Sequence, residues 1–256
     1  MKCVYCLSKL TNQKITLDHI FPRSWRTKSD IGTYKGLTVP ACLQCNQEFE
    51  KIEEKLLPRL LLCIDDTNEF TLDLRLSGFK KRFSLLATDK QSYNRKTALY
   101  DEIYSDMQKF EDIFDKEIIH NPYGGDRSTK VIRLPSKYLN QIAKKFACSL
   151  EYYLRENYLG HNRGIEFWLY GIQNSTKKDE KTLQIDQFLE KKGEKMNQGR
   201  SFVVSWISNK QFTDQVFYRI EIWQSYQFYL FISNKSKNDP LIQQIPLVSN
   251  LKNKLF

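Results

Sequence analysis

Cys3-Val-Tyr-Cys6 and Cys42-Leu-Gln-Cys45 are two C-x-x-C pairs, and between them stand Asp18, His19, Pro22 and Arg23. Each pair presents two thiolates from one tight turn, and two such knuckles complete the tetrahedral four-cysteine set that zinc takes in structural sites. Such a site is closed to water, so zinc there would staple the fold and leave chemistry to the residues between the pairs. A histidine that is neutral near pH 7 can take a proton from water. Carboxylate and amide oxygens suit a hard divalent cation.

In chain order the pattern is C-x-x-C, then Asp18-His19-Ile20-x-Pro22-x-Ser24, then Val39-Pro40-Ala41-Cys42-x-x-Cys45-Asn46. Over roughly the first quarter of the chain it resembles the HNH endonucleases, whose ββα-metal fold holds one catalytic cation. The resemblance implies Zn2+ on Cys3, Cys6, Cys42 and Cys45. It implies His19 as general base, and Asp18 and Asn46 as ligands of one Mg2+ or Mn2+ that also binds the scissile phosphate. The substrate class it implies is DNA, with RNA as the alternative, and the family-level setting is restriction or phage defence. Arg23 or Arg26 would add phosphate contacts, since the guanidinium fork matches phosphate better than an ammonium does. Where HNH proteins commonly carry an asparagine just ahead of the Val-Pro-Ala-Cys segment, this chain reads Lys35-Gly36-Leu37-Thr38, so support for His19 must come from elsewhere. Each residue also has a plain structural reading: His19 as a half-buried strand residue, Asp18 as a turn acid, Asn46 as a helix N-cap.

Strand, loop, strand and helix must present these groups. Residues 14–20 alternate Ile15, Leu17, His19 against Thr16, Asp18, Ile20, predicting a short strand that delivers Asp18 and His19 at its end. Pro22 stops it, a loop through Lys28, Asp30, Gly32 and Gly36 follows, and Leu37 to Val39 forms a second strand. Phe49, Ile52, Leu56, Leu57, Leu60 and Leu61 recur at helical spacing from Asn46 onward, with Pro58 expected to kink or end that helix.

The polar run Asp65-Asp66-Thr67-Asn68 is the best candidate boundary, dividing residues 1–66 from a larger α+β domain over 67–256. That domain is expected to hold a long amphipathic helix from Ala98 through Ile118, a second starting near Ser136, and a C-terminal antiparallel sheet. The sheet strands are read at Phe202–Trp206, Val216–Ile222 and Phe228–Ile232, with another near Ile165–Tyr170. Its aromatics, Trp168, Trp206, Tyr218, Trp223, Tyr226 and Tyr229, read as core before they read as base-stacking platforms. The domain would select substrate or dock a partner protein, and a homo-oligomer is the other possibility.

The chain has 256 residues, 41% of them hydrophobic and 13% aromatic, which suffices for a real core. Its formal charge of +10 favours a polyanionic partner. That charge is denser around the candidate site, with ten Lys/Arg against six Asp/Glu through Leu62. The lysine-rich runs, Lys80-Lys81-Arg82, Lys144-Lys145, Lys177-Lys178 and Lys191-Lys192, each read adequately as solvated surface. Apolar runs such as Leu60 to Ile64 fall far short of the ~20 residues of a membrane span, and the knuckle begins at once, so a cytoplasmic protein without a signal peptide is expected. In that reducing setting paired cysteines are ligands, while Cys63 and Cys148 read as small buried hydrophobes.

Overall fold

Alternating apolar residues build most of one antiparallel sheet of five strands, β3 (Arg163–Gly171), β4 (Glu194–Gln198), β5 (Phe202–Ser208), β6 (Val216–Ile222) and β7 (Tyr226–Asn234), in the order β3-β7-β6-β5-β4. The computed structural model describes residues 1–11, 15–62, 90–111, 134–160, 163–171, 178, 180–208 and 215–234. Ahead of the sheet, β1 (Ile15–His19) pairs antiparallel with β2 (Thr38–Cys42), placing Asp18 opposite Val39 and His19 opposite Thr38. The helices are α1 (Lys28–Thr33), α2 (Leu43–Leu62), α3 (Lys90–Glu111), α4 (Ser136–Arg155) and α5 (Glu180–Lys192). The protein is therefore mixed α+β with a C-terminal antiparallel sheet. Among the described residues no helix is long and apolar enough to cross a membrane.

Two compact units emerge. One joins Met1–Glu50 to the chain from Asn140 onward, and the other is Lys51–Leu139. The boundary expected at Asp65-Asp66-Thr67-Asn68 lies outside the described residues, as do Cys63, Phe114, Ile118, Lys80-Lys81-Arg82, His120, His161 and Lys177. In the second unit, Glu102 of α3 accepts from Lys55 at 3.0 Å and from the fully buried Arg59 at 3.1 Å, while Tyr138 completes the group by accepting from Lys55.

In the first unit both faces of the sheet are covered, which is why β6 reads Val-Phe-Tyr-Arg-Ile-Glu-Ile and is buried almost throughout. On one face α4 sets Phe146 edge-on to Phe228 at 5.7 Å, and Tyr218 donates to Glu151 at 2.7 Å. On the other, Ile185 and Leu189 of α5 join Trp168, Phe217, Tyr229 and Phe231. Of the six aromatics considered for stacking on bases, five are buried and Trp206 is partly so. They are core, and each fully buried side chain of this size contributes about 1.5–3 kcal/mol relative to exposure.

The segment from β1 to β2 is docked on this sheet by specific contacts. Phe21 stacks on Phe202 with ring centroids 4.6 Å apart, and the Trp223 indole donates to the Trp25 carbonyl at 2.6 Å. Asp30 accepts from the Arg200 and Ser201 amides at 3.1 and 2.8 Å and from the Ser201 hydroxyl. Gly199 makes this possible: its φ is +78°, and a β-carbon there would collide with the Asp30 carboxylate.

Three local expectations differ from what forms. The loop after Pro22 is partly helical, because Thr27 caps α1 by accepting from the Asp30 amide at 3.2 Å. Pro58 does not end α2, which runs on to Leu62 with Leu56, Leu57, Leu60 and Leu61 buried, so burial outweighs the one lost backbone bond. The polar strand β4 (Glu-Lys-Met-Asn-Gln) and helix α5 were not legible, since β4 is an exposed edge without apolar alternation.

A buried acid joins α5 to the sheet. Asp186 accepts from Arg219 and from Tyr229, both at 2.8 Å, and from Lys178 at 2.5 Å. Burial alone would raise its pKa; Lys178, Arg219 and Tyr229 outweigh that and hold it below the ordinary carboxylate value. A depressed acid stabilises the fold above its unfolded pKa, and that contribution is lost as pH falls through the folded one. Asp186→Asn is thus expected to cost about 2 kcal/mol at neutral pH and to flatten the acid limb of a plot of thermal midpoint against pH. An acid limb as steep as in the unaltered protein would refute this role.

Candidate metal and catalytic site

Four thiols converge where the first knuckle meets the end of β2. The Sγ atoms of Cys3, Cys6, Cys42 and Cys45 all lie within 4.8 Å of one another, and Cys6 and Cys42 are 3.8 Å apart. A tetrahedron with Zn–S bonds near 2.3 Å has S···S edges of about 3.8 Å, so the cluster has the size zinc requires. The Cys3 amide donates to the Ser8 carbonyl and the Leu7 amide to the Cys3 carbonyl, both at 2.9 Å, which closes the first knuckle with Leu7 at φ +61°. In the second, the Cys45 amide points at the Cys42 sulfur at 3.4 Å.

The electrostatics of the thiols fit a cation. Burial works against ionisation at Cys6, but Ser8 and the neighbouring Cys3 and Cys45 thiols outweigh it and bring it down to about 6. Burial instead pushes Cys3 and Cys45 up, Cys45 also through its contact with Cys42. Close-packed sulfurs cannot all ionise unless a positive charge joins them, so metal uptake here releases protons. The four cysteines can hold a metal ion such as zinc. Cys148, in contrast, is an apolar core residue whose thiol burial pushes up to about 12.

His19 closes β1 beside the cluster's frame. Its imidazole is half-buried; burial, with the positive charges of Lys145, Arg23 and Arg26, outweighs the neighbouring Asp18 carboxylate and holds its pKa below the ordinary histidine value. The ring lies against Gly36, where a β-carbon would come within 2.6 Å of His19 Cδ2 and 3.1 Å of an Arg26 nitrogen. The segment around Gly36 thus packs against His19 by close backbone approach, which only glycine permits.

The two arginines have different fates. Arg26 is buried and donates to the carbonyls of Asp30 at 2.8 Å and Tyr34 at 2.6 Å, so its fork holds the loop. Arg23, in the 3-10 turn after Pro22, is exposed. Asn46 lies in the first turn of α2, half-buried and directly after Cys45.

Asp18 lies in a setting that the sequence did not foreshadow. β1 turns its apolar residues outward, with Leu17 65% exposed, and buries Asp18 at 6%. One carboxylate oxygen accepts from the Tyr5 hydroxyl at 2.6 Å, the other from the Lys145 ammonium at 3.0 Å. Lys145 is fully buried on α4, its ammonium 5.7 Å from the centre of the Phe49 ring. The Lys144-Lys145 run, expected on the surface, is therefore split: Lys144 is exposed and Lys145 is internal. Tyr5, Gly36 and Lys145 are the residues of this site that sequence reasoning missed. For Lys145 the only signal was its place three residues after Ile142 and directly before Phe146 in a helix whose apolar side those two define.

Comparison with protein-family models, with curated proteins and with solved structures returned no match.

Proposed function

We propose that this chain is a nucleic-acid endonuclease of HNH type, with His19 as general base and Arg23 as a phosphate contact. The observation that carries the proposal is the position of His19: it ends the first strand of an antiparallel pair whose second strand runs directly into Cys42 and α2, the order in which a four-thiol cluster can clamp a strand-strand-helix frame around it. A half-buried imidazole among cationic groups suits abstraction of a proton from water beside a phosphodiester. Zinc on the four cysteines would hold the frame.

The Mg2+ or Mn2+ expected on Asp18 and Asn46 is another matter. Both Asp18 oxygens are engaged, and its charge is neutralised by an internal ammonium, so the residues present do not fit that ion as they stand. This same pair favours a second reading, a zinc-stabilised nucleic-acid grip or partner-dependent subunit with little hydrolysis of its own.

Nicking and linearisation of supercoiled plasmid, beside a single-stranded substrate, in Mg2+, Mn2+ or EDTA, separates the two. His19→Ala is expected to fold normally and lose cleavage by about 10²–10⁴-fold, the contribution of a positioned general base. Binding without cleavage in every condition would overturn the endonuclease and leave the grip.

A further inference from the structure

We infer that the ammonium of Lys145 takes the place at Asp18 that a divalent cation would hold, so that Asp18 is not a metal ligand in this protein. The inference rests on reading β1, β2 and the start of α2 as a nuclease-type frame. Asp18 stands in the HNH-like motif where the resemblance expects an ion, yet its two oxygens meet Lys145 at 3.0 Å and Tyr5 at 2.6 Å. All three residues are buried, Lys145 completely.

Chemistry explains why the two cations exclude each other. A divalent ion needs carboxylate oxygens at roughly 2.0–2.6 Å and a shell completed by water or other oxygens. Nothing of that kind suits an ammonium already seated on the same carboxylate and capped by the Phe49 ring. Bringing a +2 ion beside a buried +1 charge adds repulsion in a region of low dielectric, where charges interact far more strongly than in water. Lys145 reaches Asp18 from α4, 127 residues along the chain, and α4 also carries Glu151 against the sheet. Lys145 is a positioning residue: it neutralises Asp18, the immediate neighbour of His19, and ties the strand to α4.

The test is Mn2+ binding, which does not depend on cleavage. Zinc-loaded protein with isotopically labelled tyrosine is titrated with Mn2+ alone. Free Mn2+ is followed by electron paramagnetic resonance and the Tyr5 ring signals by nuclear magnetic resonance. The intact protein is expected to show no selective loss of the Tyr5 signals, because no ion reaches Asp18. Lys145→Met is expected to gain one Mn2+ per chain and lose the Tyr5 signals, and adding Asp18→Asn should abolish both changes. Selective loss of the Tyr5 signals in the intact protein would overturn the inference whether or not the variants fold. Cleavage that depends on His19 without an ion at Asp18 would leave both proposals standing. Absence of cleavage with an unperturbed Tyr5 would sink the endonuclease alone.

Discussion

Cys42→Ser is expected to abolish zinc binding and to lower the thermal midpoint more than any other single change in the first unit. Cys42 belongs both to β2 and to the thiol cluster, 3.8 Å from Cys6 and in contact with the Cys45 amide. A hydroxyl at this position is a poor zinc ligand, and structural zinc sites in small modules carry apparent binding energies of about 10–16 kcal/mol. The full amount should not be lost, because Phe21, Trp25 and Asp30 keep their contacts with Phe202, Trp223 and Ser201 independently of the metal. The expected picture is a loosened knuckle and β1-β2 pair, with the C-terminal sheet retained. Metal analysis and thermal melts by circular dichroism test it. Undiminished zinc content with an unchanged midpoint would show that the four cysteines are not the staple.

Lys145→Met and Asp18→Asn, made singly, are each expected to cost about 3–5 kcal/mol, because each leaves a buried partner without its counter-charge. Lys145 has a fully buried side chain and Asp18 a nearly buried one, so solvent cannot take over either role. Changing both together should cost clearly less than the sum, since no unpaired charge then remains. Urea denaturation of the four proteins closes the cycle. Additive, sub-kilocalorie effects would mean that the pair is solvated and that the site is open to other cations.

Several parts of this architecture were written locally. The three C-terminal strands and the strand near Trp168 follow from alternating β-branched and aromatic residues, and α4 from Leu139, Ile142, Phe146 and Leu150 recurring on one face. The thiol cluster follows from two C-x-x-C turns, each of which fixes the direction of its own two sulfurs. Period and spacing are properties of neighbouring residues, so they survive without knowledge of the fold. The inward face of β1 was not legible in the same way. Its apolar residues, Ile15 and Leu17, face out, and the polar Asp18 faces in. A one-residue choice of face in a short strand is settled by what lies beneath it, and here that is a lysine from a helix more than a hundred residues away.

Local sequence was enough for β1, β2, α2, α4, the apolar strands of the C-terminal sheet, the cysteine set and the place of the candidate base, because each is encoded within a few residues, whereas α1, α5 and the polar edge strand β4 were not legible in it. The pairing of Asp18, the approach of the Gly36 backbone to the His19 ring, and the division between an exposed Arg23 and a committed Arg26 came from packing between distant segments. Those outcomes depend on which distant groups share a small buried volume, where a charge must find its partner or not be buried at all.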